Sequence, residues 1–507
     1  MAKLLVIIGI IIFAFSPILS AAEEEMPFDE ESYIRSAETK KVLKMSLTEC
    51  IIYTFENNSE IKVKHIEPGL REDDVKIAYS EFEPTLDFDG TLYDSAIQPT
   101  STIAASEFRT VDLDFSLFGK LITGTEYELD FLSTYYESNS TIFRVMNPYY
   151  RIEPEISISH PIARGAGILV NEADIIISRN NKLSSWQGFR NTSMDILTKT
   201  KIAYYDYTYA QERYSIARLS LERAIKLSKI NELRYGQGLV SSVDVLEAES
   251  AASEREKVLL NAELFLRKSE DQLKLITNLV DDPEVWNDEL ELTDRPGFEI
   301  RDIDPIESLE NAFKYRPDYI QKKIDLENRS IKIMVAKNTL LPTIDLVGSF
   351  GLNGLGLDYQ KSIENVSTNH RDWSAGVKFN LPWGGGDRAR YDQRKLEKAQ
   401  ALIELNRLEQ NIIFDVRDKI RDADIQRRQV GASKISKELE TENYKAQKER
   451  YAVGQVSTHD LLDYQDKLAR AEFDYVTAII NYNIALIKLD MAEGLTLVRN
   501  NIILEEQ

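Results

Sequence analysis

The 507-residue chain has a net charge of −22 and a pI near 4.9, a balance that repels nucleic acid and anionic lipid surfaces and argues against both as partners. Its one cysteine, Cys50, excludes an intrachain disulfide framework, and its distance from the N-terminal apolar stretch gives no support to lipidation. Cys50 reads instead as a small buried residue.

The first residues set Lys3 before an apolar stretch from Leu4 to Phe15, then Ser16-Pro17, the small residues Ser20, Ala21 and Ala22, and Glu23-Glu24-Glu25. This is the pattern of a cleaved secretory signal over residues 1–22. The stretch is shorter than the roughly 20 residues a membrane-spanning helix needs, and no later segment is uniformly apolar enough to replace it. If the mature chain crosses a membrane, strands must do it.

The rest of the chain is a tandem repeat. Glu49, Phe55, Pro84, Thr85, Asp87 and Gly90 recur without a gap as Glu307, Phe313, Pro342, Thr343, Asp345 and Gly348, each 258 positions later. A second match, 216 positions apart, pairs Arg234-Tyr235, Gly238, Val240-Ser241, Asp244 and Leu246 with Arg450-Tyr451, Gly454, Val456-Ser457, Asp460 and Leu462. Each half therefore passes through the same elements in the same order. The first half is longer mainly between Pro84 and Pro161, compared with Pro342 to Pro382.

Between those prolines the pattern is that of strands. Val111, Leu113, Phe115 and Leu117 alternate with Thr110, Asp112, Asp114 and Ser116, and Trp373, Ala375, Val377, Phe379 and Leu381 alternate with Ser374, Gly376, Lys378 and Asn380. Tyr127, Leu129 and Phe131 continue the theme. Such runs suit barrel strands with lipid on one side and water on the other, and equally an ordinary half-buried antiparallel sheet. Four strands are expected in the first half and two in the second. The additional pair either enlarges a barrel from four to six strands per subunit or folds outside it.

Beyond Pro161 a proline-free helical pattern runs to about Tyr235, long enough for a rod of roughly 100 Å at 1.5 Å per residue. Ala203, Ala210, Ala217 and Ala224 recur every seven residues, with Tyr207, Tyr214, Leu221 and Ser228 four after each. This is a heptad seam whose alanines let backbones approach closely. After the Gly238 turn, Val245, Ala248, Ala252, Arg255, Leu259, Ala262, Leu266, Ser269 and Leu273 form the returning seam, echoed by Leu461, Tyr464, Leu468, Ala471, Tyr475, Ala478, Tyr482, Ala485 and Leu489. Each half thus holds a long antiparallel helical hairpin, and one chain has too little apolar surface to close such rods around a core. Side-by-side packing with other copies follows.

Other signals carry no chemistry. His65, His160, His370 and His459 are scattered without ligand-like spacing, so no metal and no cofactor is expected. Ser457-Thr458-His459-Asp460 holds the residue types of a triad, but consecutive residues at a helix start do not converge on one substrate atom. Gly348, Gly351, Gly354 and Gly356 faintly echo a phosphate loop; no helix is expected after them, and they read as an exposed loop.

The duplication, Leu341-Pro342-Thr343 where helix passes into strand, His160-Pro161-Ile162 and Leu381-Pro382-Trp383 where strand returns to helix, and the two Arg-Tyr-x-x-Gly-x-Val-Ser tips together resemble the TolC family of outer-membrane efflux and secretion channels. The resemblance covers nearly the whole mature chain. It implies an α+β membrane protein: a homotrimer with an α-helical barrel of coiled-coil hairpins in the periplasm and a transmembrane antiparallel β-barrel in the bacterial outer membrane. Its parts would be an N-terminal periplasmic segment over 23–45, a helix over 46–83, barrel strands over 84–161, a hairpin over 162–280 with its tip near 236–242, and an equatorial linker over 281–305. The second repeat would supply a helix over 306–341, strands over 342–382 and a hairpin over 383–492 with its tip near 452–458. A periplasmic tail over 493–507 would end the chain. Pro84, Pro161, Pro342 and Pro382 would make the strand–helix junctions, where a fixed φ and a missing donor allow an abrupt turn.

The resemblance further implies partners: outer-membrane lipid, a periplasmic adaptor of the membrane-fusion type, and an inner-membrane transporter, either a resistance-nodulation-division pump or an ABC transporter. The family's gate uses an aspartate in the first tip and a tyrosine, an arginine and two aspartates in the second. Here Asp244, Tyr451, Asp460 and Asp463 match, while Val456 stands at the arginine position. Asp460 and Asp463 would form acidic rings at a pore entrance; alternatively Asp460 caps a helix. Gly238, Leu239, Val240, Ser241, Gly454, Gln455, Val456 and Ser457 are the candidate adaptor contacts, or else plain turn residues. The expected role is a passive exit duct without enzymatic activity. The rival is a periplasmic coiled-coil adaptor or structural protein of an export complex. Adaptors, however, have one hairpin flanked by small β-domains, whereas this chain has two hairpins and two strand blocks.

Overall fold

The computed structural model describes residues 42–98, 105–139, 145–279, 286–294 and 297–504. The signal expected over 1–22, most of the segment 23–45 and the start of the linker 281–305 lie outside the described residues.

The first repeat runs β1 (Val42–Met45), α1 (Leu47–Asn57), α2 (Ser59–Ser80), then β2 (Thr85–Ala96), β3 (Glu107–Lys120), β4 (Glu126–Ser138) and β5 (Tyr149–Pro161). A single turn, α3 (Ile168–Asn171), leads into the long α4 (Ala173–Gly236), the returning α5 (Ser242–Thr277) and β6 (Glu289–Leu292). The second repeat runs α6 (Pro305–Tyr315), α7 (Pro317–Asn338), β7 (Thr343–Gly356), the short α8 (Tyr359–Glu364), β8 (Ser367–Asn380), α9 (Gly386–Ala452), α10 (Thr458–Ala492) and α11 (Thr496–Arg499).

Local chemistry sets the element ends. Ser46 and Glu49 form a reciprocal capping box at α1, with Glu49 Oε2 accepting from Ser46 N at 2.7 Å. Asn58 stops α1 and caps α2, its Oδ1 accepting from Glu60 N and Ile61 N at 3.0 and 3.2 Å. In the second repeat Asp304 caps α6 with Pro305 in the first turn, where proline's missing donor costs nothing.

α4 has 64 residues and α9 has 67, so each reaches about 100 Å. Their length is sustained by lateral packing. Ala203, Ala210, Ala217 and Ala224 are all buried where α4 and α5 run side by side, as are Ala248, Ala262 and Leu273 of α5. In the second hairpin Leu461, Leu468, Ala471, Ala478, Tyr482, Ala485 and Leu489 of α10 are buried where α10 packs on α9 and on α4 of the first hairpin. Halfway along, β1 and β6 pair in parallel, Val42 with Glu289 through Met45 with Leu292. They close a core of Met45, Cys50, Tyr204, Tyr207, Leu273 and Leu290. Burial there pushes the Cys50 thiol up to about 12.

All six long strands form one antiparallel sheet, ordered β2-β3-β4-β5-β7-β8. The additional pair of the first repeat, β3 and β4, is thus inserted between β2 and β5, and the two repeats meet at β5·β7. Its register aligns the period-2 pattern across the sheet. Leu86, Leu117, Leu129, Ile156, Phe350 and Trp373 lie in one row on one face. One residue along each strand, Asp87, Ser116, Asp130, Glu155, Gly351 and Asp372 form the adjacent row on the other face.

The glycines expected in a loop lie instead within β7, and a short helix, α8, does follow them. Their role is close approach. A Cβ on Gly354 would lie 2.1 Å from the Ser362 carbonyl oxygen, and one on Gly356 would lie 2.4 Å from Ser362 N, so only glycine lets α8 fold back on the strand.

Candidate functional site

Two places concentrate function-bearing side chains: the hairpin tips and the polar face of the sheet. The tips turn through Gly238 and Gly454, at φ 73° and 77°, a left-handed conformation that glycine adopts without penalty. Ser241 and Ser457 then start the returning helices. Asp244 Oδ2 accepts from Ser241 N at 2.9 Å and Ser241 Oγ at 2.7 Å. Asp460 Oδ2 accepts from Ser457 Oγ at 2.7 Å, while Asp460 N donates back to Ser457 Oγ at 3.1 Å. The Ser241 hydroxyl holds Asp244, and the Ser457 hydroxyl holds Asp460, below the ordinary carboxylate range. Both aspartates are therefore charged caps. Asp463 is exposed and pairs with Lys467 at 2.7 Å on its own helix.

Tyr451 is different, because it is buried and joins the two hairpins. Its ring packs with Leu227, Leu461 and Leu462, and Val456 lies against the same cluster. Its hydroxyl is hydrogen-bonded to Asn231 Oδ1, and Asn231 Nδ2 in turn donates to the Asp244 carbonyl and to Thr458 Oγ1, both at 3.1 Å. Arg234 stacks over the Tyr451 ring at 4.6 Å and donates to the Tyr451 and Ala452 carbonyls at 3.2 and 3.0 Å. The cation at this junction is Arg234 of the first hairpin.

Further along the rods, Arg255 Nη2 reaches Asp466 Oδ1 at 2.7 Å, and its Nε donates to Ser220 Oγ at 3.1 Å. Arg223 forms a two-pronged pair with Glu472 at 3.3 and 3.2 Å. Asn231, Arg234, Thr458, Asp466, Arg223 and Glu472 are functional candidates that sequence reasoning missed. Arg255 was visible as the one charge in an apolar seam, without an indication of its partner.

The tips also present apolar surface. Leu233, Leu239, Val243, Leu246 and Val453 are exposed around the two turns, whereas Val240 and Val456 are half-buried. At the opposite end of the long helices, the junction prolines are pinned together. Ile162 N donates to the Ile344 carbonyl at 2.8 Å, Arg164 N to the Pro342 carbonyl at 3.2 Å, and Arg164 pairs with Asp387 at 3.3 Å. Pro84 and Pro342 immediately precede β2 and β7, Pro161 ends β5, and Pro382 follows β8.

The acidic face of the sheet holds Asp87, Asp89, Asp112, Asp114, Asp130, Glu153, Glu155 and Asp372. Ser116 Oγ donates to Asp130 at 2.5 Å and Thr134 Oγ1 to Asp112 at 2.7 Å. Among the described residues no helix is long and apolar enough to cross a membrane, and no group of His, Cys, Asp and Glu has metal-holding geometry.

Residues 309–495 match the family model "Outer membrane efflux protein". The outer membrane protein TolC of Escherichia coli K12 is 23% identical over 318 residues, which are 60% of this chain and 62% of that relative, less than two thirds of its length. Among solved structures, the CmeC outer membrane channel of Campylobacter jejuni superposes with a TM-score of 0.64 at 17% identity, covering 89% of this chain and 86% of that one. The outer membrane protein VceC of Vibrio cholerae gives 0.64 at 13% identity over 88% and 96%. The MtrE outer membrane channel of Neisseria gonorrhoeae, in its open state, gives 0.60 at 16% over 89% of both. Residues 309–495 thus match the outer membrane efflux protein family, and the chain as a whole shares the fold of solved outer membrane channels.

Proposed function

We propose that the protein is the outer-membrane exit duct of a tripartite efflux or type I secretion system, passively conducting substrate from the periplasm to the exterior as a homotrimer. One observation carries this reading: a single sheet is apolar on one face and acidic on the other, and both its repeats are joined through proline junctions to helical hairpins about 100 Å long. The apolar face suits outer-membrane lipid, and the acidic face suits a water-filled lumen. The hairpins extend into the periplasm. There the exposed Leu239, Val243, Leu246 and Val453, with Gly238, Val240, Ser241, Gly454, Gln455, Val456 and Ser457 shaping the turns, receive an adaptor protein bound to an inner-membrane pump or ABC transporter. Tyr451, Asp244, Asp460 and Asp463 belong to the periplasmic gate. Energy comes from the pump, because the chain has no nucleotide-binding motif.

Full-length protein expressed with a photo-crosslinker at Leu239 tests this reading. It should fractionate with the outer membrane, capture an adaptor-sized neighbour and conduct ions in planar bilayers. A chain that stays soluble without detergent and produces no conductance would overturn it.

A further inference from the structure

Within the described chain the six-stranded sheet does not close on itself, and β2 and β8 are its two unpaired edges. Leu86, Phe88 and Leu92 on β2, and Trp373, Val377 and Phe379 on β8, are between 57% and 73% exposed. Such flat apolar edges demand a partner strand. β2 leaves α2 and β8 runs back into α9, so the two edges of neighbouring copies meet antiparallel.

The tandem repeat supplies the register. Where the two repeats meet, β5 and β7 pair Pro161 with Asp345, Ile158 with Gly348 and Ile156 with Phe350. Pro382 is the repeat equivalent of Pro161, and Asp87 and Gly90 are those of Asp345 and Gly348. The same pairing between copies places Pro382 across from Asp87, Phe379 across from Gly90 and Val377 across from Leu92. Apolar side chains then stay on one face. Lys378 falls opposite Thr91 and diagonal to Asp89, a favourable cross-strand neighbour.

β3 and β4 are integral to this sheet. Their row positions carry the apolar and acidic faces from β2 to β5 without a break, and their turn is fastened to the strand–helix junction. Gly167 N donates to the Thr123 carbonyl at 3.3 Å, Thr125 Oγ1 meets His160 Nδ1 at 2.8 Å, and Lys120 pairs with Glu81 at 2.6 Å.

Building on the trimeric reading above, we propose that three copies close edge to edge, β2 of one against β8 of the next, into an 18-stranded barrel, three times the six strands of one sheet. Without β3 and β4 each copy would supply four strands and the barrel 12. Barrel diameter grows about linearly with strand number, so the insertion makes the exit roughly half again as wide and about doubles its cross-section. Barrels of 16–18 strands enclose water rather than packed side chains, which leaves the lumen as an open passage lined by Asp87, Asp114, Asp130, Glu155 and Asp372.

Cysteine pairs in full-length protein, with buried Cys50 replaced by Ala, test both halves of the proposal. Oxidation of the Thr91→Cys/Lys378→Cys variant should give a ladder ending at three linked chains, while the opposite-face pair Leu92→Cys/Lys378→Cys should stay unlinked. A ladder ending at two chains, or equal linking of both pairs, overturns the ring. In proteoliposomes, a water-soluble maleimide should label Asp114→Cys and spare Leu113→Cys. Equal labelling of the two alongside a three-chain ladder would put β3 and β4 outside the barrel and overturn the 18 strands while leaving the channel reading intact. No ladder from a protein that still conducts overturns the edge pairing alone; no ladder and no conductance overturns the channel reading with it.

Discussion

Arg255 of α5 reaches out of the first hairpin to Asp466 of α10 at 2.7 Å, and its side chain is only 8% exposed while that of Asp466 is 56% exposed. An arginine thus occupies a core position of a helical seam in order to tie one hairpin to the other. Replacing it with leucine removes the tie and leaves only the Ser220 hydroxyl and an exposed carboxylate unpartnered. Because Asp466 is more than half in solvent, the loss should be about 1 kcal/mol or less of the contact between hairpins. Arg255→Leu should raise the open probability in planar bilayers with little change in thermal stability. Unchanged gating would show that the pair does not restrain the tips.

Tyr451 restrains the same tips by a different chemistry, a buried hydroxyl shared with Asn231 and Thr458. Tyr451→Phe keeps the ring, its packing against Leu227 and the Arg234 stack, but leaves Asn231 Oδ1 without its donor, at a cost of about 1–3 kcal/mol. Faster amide hydrogen exchange is expected around residues 231–244 and 451–460, with the sheet unaffected. Exchange equal to wild type would contradict the lock.

Near the equator a group of charges is buried where α10 ends. Arg301 contacts Asp490 at 2.7 Å and Glu493 at 3.4 Å, Arg499 contacts them at 3.0 and 2.7 Å, and Ser308 Oγ donates to Glu493 at 2.6 Å. Burial raises both carboxyls above their ordinary range despite Arg301, and burial lowers the nearby Lys201 ammonium. A raised carboxyl contributes stability that is complete below the unfolded-state pKa, near pH 4, and is lost as pH rises through the folded-state value. The Asp490→Asn/Glu493→Gln variant lacks this titration, and its arginines stay charged throughout. Its melting temperature relative to wild type should therefore rise from pH 4 to pH 7; a constant or falling difference would contradict the assignment.

Gly354 lies where α8 crosses β7. A valine there must displace the Ser362 backbone, which should cost about 1–3 kcal/mol. Gly348→Ala, whose Cβ would meet only the Ser374 carbonyl at 3.7 Å, is the tolerated control. Thermal unfolding in detergent should separate the two by several degrees, and equal melting would remove the close-approach explanation.

Local order is what the sequence displays most openly. The period-2 runs and the heptad alanines follow from neighbours a few residues apart, and the prolines recur with the repeat, so six strands and two hairpins are legible without a structure. The strand order is not, because whether β3 and β4 pair with β2 and β5 depends on contacts that leave no periodic trace. The glycines of β7 mislead for a related reason: glycine weakens strands on average, and only the distant backbone of Ser362 explains them. At the tips the repeat motif exposes Arg234 and Tyr451 as equivalents of Arg450 and Tyr235, yet their stacking on each other across 217 positions is a property of the packed hairpins. Asp244 and Asp460 show the converse, since their capping serines lie three residues away and make the local role readable.

The central claim is that one face of the sheet lies against hydrocarbon. Trp373 reports on that face directly, being 70% exposed in a row that runs through Phe350 and Ile156. With Trp186, Trp286 and Trp383 changed to Phe, the fluorescence of Trp373 in reconstituted protein should be quenched by lipids brominated on their acyl chains and untouched by aqueous iodide. Quenching by iodide with no effect of brominated lipid would place the face in water and contradict the account.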